Sequence, residues 1–62
     1  MKYMKGQNLV SNYIMESYEV IDFDHISGKY SLNIYGENGK PDDFIGKIEI
    51  MEKDLDQHYT VV

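Results

Sequence analysis

Two short runs combine carboxylates with an imidazole: Asp22-Phe23-Asp24-His25 and Asp54-Leu55-Asp56-Gln57-His58. Oxygen and imidazole ligands together suit several divalent metals. On an extended strand, residues two apart share a face, so Asp54, Asp56 and His58 would converge on one cation. The rest of a metal site is missing, because the chain has no cysteine, no paired histidines and no calcium loop with its glycine and closing glutamate. The plainer reading is a pair of polar strand ends whose carboxylates keep the chain soluble. No metal and no other cofactor is expected.

Other chemistries fare no better. General acid–base work needs two carboxylates across a cleft, and eleven acids in 62 residues bring some pairs close whatever the function. A domain this small rarely encloses the cleft. Ser27 near His25 is the one nucleophile with an adjacent base, and Ser27-Gly28 reads as a turn. Gly36 and Gly39 lack phosphate-loop spacing, and Asp42 and Asp43 follow where a phosphate would be repelled. The chain is therefore expected not to be an enzyme.

Composition narrows the partners. The net charge is −5, from eleven acids against six lysines, with no arginine. Arginine's planar fork is the usual tool for phosphate and guanine contacts. Its lack, with the acidic balance, argues against direct nucleic-acid binding and for a basic protein partner. The charge is uneven: residues 1–15 hold Lys2 and Lys5 and no acid, whereas Glu16, Glu19, Asp22 and Asp24 crowd the next ten. Lys, Asn, Ile, Tyr and Met abound while Ala and Trp are missing, which fits AT-rich coding and a bacterial or phage source. With no cysteine, no apolar run after the N-terminal lysines and no stretch of membrane-spanning length, a cytoplasmic address without membrane contact is expected.

Sixty-two residues make one domain. Such a chain buries roughly 60% of its unfolded surface. Its stability by length is about 3–9 kcal/mol. Domains of this size use a staple such as disulfides, a metal or a second subunit, and a homodimer is expected here.

The elements follow from alternation. Tyr30, Leu32 and Ile34 alternate with polar residues, as do Phe44, Ile48 and Ile50, and Tyr59 and Val61. Residues 36–42 are dense in turn formers and make the first two runs a hairpin. Only an even register sum buries one consistent face. The parity argument predicts Ile34 opposite Phe44, Leu32 opposite Gly46 and Tyr30 opposite Ile48, across a three-residue loop with a glycine bulge or a wider one. Glu16 to Asp24 predicts a further strand with an open register: one turn pairs Phe23 with Tyr30, another pairs Val20 with Leu32. Leu9, Val10, Tyr13, Ile14 and Tyr18 fit a short helix by spacing and a strand by type. Residues 52–57 read as a polar connection, and residues 1–8 as flexible. The expected fold is mostly β or small α+β, an antiparallel meander of three to four strands. A short N-terminal helix would cover one of its faces.

Six tyrosines, at positions 3, 13, 18, 30, 35 and 59, exceed what one small core needs, and tyrosine is enriched at interfaces. Tyr30 and Tyr59 belong to the buried face by alternation, and Tyr18 and Tyr35 are candidate contacts. Glu19, Asp22, Asp24, Asp42, Asp43, Glu49, Asp54 and Asp56 would supply charge against a basic protein. The expected function is therefore that of a small acidic binder, in its sharper form an inhibitor or decoy of a basic nucleic-acid-binding protein from a phage or mobile element. The alternative is a self-assembly module that pairs through exposed strand edges.

Overall fold

The computed structural model describes residues 2–62. It contains β1 (Asn8–Ser11), β2 (Ser17–Asp24), β3 (Lys29–Tyr35), β4 (Phe44–Met51), α1 (Glu52–His58) and β5 (Tyr59–Val61). The strands form one antiparallel sheet in the order β4-β3-β2-β1-β5. The mostly β expectation holds, with five strands in place of three to four.

Because β4 and β5 lie at opposite edges, the chain between them must cross the sheet. The helix α1 makes that crossing. Leu55, its buried residue, joins Tyr3, Leu9, Tyr18, Val20, Tyr30 and Leu32 in one core. The covering helix thus lies at 52–58, and the helical spacing of residues 9–18 resolves as strand β1, a bent loop and the start of β2. A seven-residue helix is too short to hold itself in water, so the burial of Leu55 carries it. Glu52 and Asp54 in its first turn and His58 in its last suit the helix dipole. Among the described residues no helix is long and apolar enough to cross a membrane.

Both readings of the β2 register are realised in the same strand. Phe23 pairs with Tyr30 near the turn, and Val20 pairs with Leu32 further along, with the register shift between Val20 and Asp22. The extra residue there, Ile21, lets Tyr18, Val20 and Phe23 all join the core side. A strand with apolar residues of both parities therefore has one buried face. In the next hairpin the parity argument holds but the position moves by two residues. Ile34 faces Gly46, Leu32 faces Ile48 and Tyr30 faces Ile50. The wider loop closes through the Gly36 N–H to the Asp43 carbonyl, 2.9 Å, and the Asp43 N–H to the Gly39 carbonyl, 3.0 Å. Gly39 takes a positive φ of 76° there, a region that favours glycine.

The N-terminal arm, read as flexible, places Tyr3 in the core. The Tyr30 hydroxyl accepts the N–H groups of Lys2 (2.8 Å) and Tyr3 (3.1 Å) and donates to Glu52 (3.1 Å). The Tyr3 hydroxyl donates to Asp56 Oδ1 at 2.6 Å, and Lys2 Nζ meets the same oxygen at 2.9 Å. Arm, sheet and helix are thereby tied at one corner, with the two rings edge to face at 5.5 Å.

Candidate functional site

The side of the sheet away from α1 carries no helix or second sheet among the described residues, and Lys40 of the β3–β4 turn reaches Glu19 on it at 3.3 Å. Strand pairing sets its rows: Thr60, Val10, Ser17, Tyr35 and Phe44 lie side by side across the five strands. A second row runs Asn8, Glu19, Asn33, Lys47, and a third runs Asp22, Ser31, Glu49. The first row is apolar at Val10, Tyr35 and Phe44, and the others are polar.

The apolar row continues into the loop between β1 and β2. There Tyr13, Ile14 and Met15 are 71%, 57% and 75% exposed, three consecutive apolar side chains facing solvent. The loop turns because the Ser11 Oγ accepts the N–H groups of Tyr13 (3.1 Å) and Ile14 (3.3 Å). Asn12 N–H, bonded to the His58 carbonyl at 2.9 Å, and the Tyr13 hydroxyl beside His58 Nδ1 at 3.1 Å fix the loop to the end of α1. Across from it stands the turn at Gly36 and Glu37. An open groove of about 340 Å³ lies between them, lined by Val10, Ile14, Met15 and Gly36 with Glu16 and Glu37 at its sides. A Cβ on Gly36 would meet the Asp43 carboxylate, which would have to turn aside.

The charge around the groove is one-sided. Its lining includes two glutamates and no base. The Tyr18 hydroxyl donates to Glu16 Oε1 at 2.5 Å, fixing that carboxylate at the loop base. Burial, and then the bond to Glu16, raises the Tyr18 hydroxyl pKa, so it stays a donor.

The residues singled out from sequence do not converge. Tyr18 lies in the core, 4% exposed, so it is no surface contact. Tyr35 is on the outer face as expected but only 8% exposed, covered by Phe44 edge-on at 5.8 Å and bonded to Glu19 at 3.4 Å. Glu19 is half-buried and paired with Lys40 at 3.3 Å. Asp22 and Glu49 are exposed on either side of Ser31. Asp24 caps the first turn, accepting the N–H groups of Ile26 (2.8 Å) and Ser27 (3.4 Å), which holds its carboxyl below the usual range. Asp42 is exposed in the wide turn, and Asp43 folds inward to accept the Asn38 N–H at 3.3 Å. Asp54 and Asp56 sit on α1, on the other side of the molecule from the groove's apolar row. Because 54–58 is helical, residues two apart diverge there, and the extended array of Asp54, Asp56 and His58 does not form. Among the described residues no three metal-ligating side chains gather.

Sequence reasoning missed Val10, Ile14, Met15, Glu16 and Glu37 as a group. The available signal was the run Tyr13-Ile14-Met15 between Asn12 and Glu16, which a helix or strand reading absorbs but a loop leaves exposed. No family model, curated protein or solved structure matches the chain.

Proposed function

We propose that this chain is a non-catalytic binding protein whose groove takes an apolar side chain from a segment of another protein, flanked there by lysine or arginine. The observation that carries this reading is the continuity of the exposed Tyr13-Ile14-Met15 loop with a groove that has two glutamates and no base among its lining residues. Apolar contact supplies the anchor, and the carboxylates select the charge around it. A broad electrostatic decoy would be better served by acids gathered in one field. The division of the acids among outer face, turns and helix supports recognition at the groove instead.

Selection from a random peptide library on the immobilised protein tests this. Wild type should enrich peptides that combine an apolar anchor with Lys or Arg. The Ile14→Ser/Met15→Ser variant should lose them, and Glu37→Lys should shift the selection away from basic residues, all with thermal melts close to wild type. Recovery of the same peptides by the Ile14→Ser/Met15→Ser variant, or enrichment of acidic ones by wild type, would sink the reading.

A further inference from the structure

The longest strand at an edge of the sheet is β4, which pairs only with β3 among the described residues. The edge strand at the other side, β5, has three residues against eight in β4. An unpaired strand edge offers a row of free N–H and C=O groups, and natural proteins blunt such edges with charge, bulges or shortness. Here the register shift around Ile45 disturbs the start of β4, but Gly46 to Met51 run regularly. Ile48 and Ile50 point to the core side and stay half-buried, while Lys47 and Glu49 point to the outer face, exposed.

That sequence is complementary to itself. In an antiparallel pair, opposed residues share a face, so two copies of β4 meet correctly only with an even register sum. Centring the twofold axis on Lys47 sets Lys47 against its own copy, and centring it on Glu49 does the same for Glu49. Centring it on Ile48 sets Lys47 opposite Glu49 twice, Ile48 opposite Ile48, and Ile50 opposite Gly46. Opposed unlike charges stabilise a strand pair and like charges destabilise it. We propose that a second copy of this chain docks on the β4 edge in this last register, forming a twofold dimer with a continuous ten-stranded sheet, two sets of five.

Several features agree with this geometry. The helix α1 leaves the end of β4 toward the far edge, since it must reach β5, and so does not cover the β4 edge. Pairing extends the apolar inner face from Ile48 and Ile50 to their copies. A twofold contact uses the same edge on both chains and leaves the three-residue β5 at each outer end, which closes the assembly at two. The dimer leaves the groove at Val10, Ile14 and Met15 free, so it stands or falls separately from the peptide-binding reading.

The test is sedimentation equilibrium over a concentration series on wild type, Lys47→Glu, Glu49→Lys and the double swap. The expected result is a wild-type dimer and single reversals that weaken it about tenfold or more, because each creates two like-charge oppositions. The double swap restores the unlike pairs and should recover wild-type dimerisation, an outcome specific to the Ile48-centred register. Far-UV circular dichroism checks that each variant folds. If a single reversal fails to fold, hydrogen exchange on wild type and the double swap replaces it, with concentration-dependent protection of β4 amides expected. A wild-type monomer at every concentration reached overturns the proposal. So does a dimer that the single reversals leave unchanged, or that the double swap does not recover, or exchange at β4 that is indifferent to concentration.

Discussion

The two faces of this sheet are built from the same strands and have opposite fates. On the α1 side, Leu9, Tyr30, Leu32 and Leu55 are fully buried, and the Tyr3 and Tyr30 hydroxyls reach partners at the rim. On the other side, Tyr35 is buried only by its neighbours, and Phe44 and the loop residues Ile14 and Met15 remain open to solvent. One face uses aromatic residues as cover with the polar tip satisfied, and the other leaves apolar surface without a layer. Stability should therefore be concentrated on the first face and recognition on the second.

The inner face depends most on Leu55. It is the buried contact of a helix too short to persist alone, so Leu55→Ala should cost about 2–5 kcal/mol, a large share of what a chain of this length has. Urea denaturation followed by circular dichroism measures it. A loss under about 1 kcal/mol, below the usual range for such truncations, would mean that α1 is not what seals the core.

Next comes the corner at Tyr30. Tyr30→Phe keeps the ring but leaves the N–H of buried Tyr3 without its acceptor and Glu52 without its donor. Stranding buried polar groups costs about 1–3 kcal/mol. The matched control is Tyr13→Phe, where an exposed hydroxyl meets His58 and the expected change is within about 0.5 kcal/mol. Equal effects at the two positions would mean that burial adds nothing to the cost of losing the Tyr30 hydroxyl.

Titration sharpens the same corner. The Tyr3 hydroxyl, and then Lys2, hold the Asp56 carboxyl below the usual carboxylate range. A depressed pKa contributes stability that is present above the unfolded value of about 4 and is lost as pH falls through the folded one. Burial, and then the bond to Asp56, push Tyr3 up to about 12. A raised pKa contributes stability that is complete below the unfolded value of about 10 and is lost as pH rises through the folded one. Tyr3→Phe should therefore shrink both limbs of the stability–pH curve, and Tyr18→Phe should shrink the alkaline limb. Denaturation midpoints from pH 2 to 12 read this out, and an acid limb unchanged in Tyr3→Phe would rule out the bond between Tyr3 and Asp56.

The legible parts of the fold were those set by alternation. Tyr30, Leu32 and Ile34 announce β3, and strict parity anticipates that Leu32 meets an even-numbered residue of β4, which is Ile48. Parity leaves the loop length open, so the choice between Gly46 and Ile48 lay outside its reach. The bulge at Ile21 was hidden because an inserted residue imitates two competing registers, and both were visible in β2. The helix α1 was hidden for another reason. Glu52-Lys53-Asp54-Leu55-Asp56-Gln57-His58 has one apolar residue, so no periodicity can form, and its burial comes from a crossing that only the strand order requires. Of the candidate surface, the charges were readable and their dispersal was not. Tyr18 looks like Tyr35 in sequence, yet the two lie on opposite faces.

The smallest expected effect separates folding from recognition. Ile14→Ser/Met15→Ser replaces two side chains that are 57% and 75% exposed and that lie outside the core cluster. Surface substitutions away from caps and packing shift stability by about 0.5 kcal/mol or less. The backbone of this loop is held by Ser11 and Asn12, which the substitutions leave intact. A denaturation midpoint indistinguishable from wild type would show that this apolar surface contributes nothing to the fold, and so is free to serve a partner. A clear loss would place Ile14 and Met15 with the core, and the groove would then be part of how the chain folds.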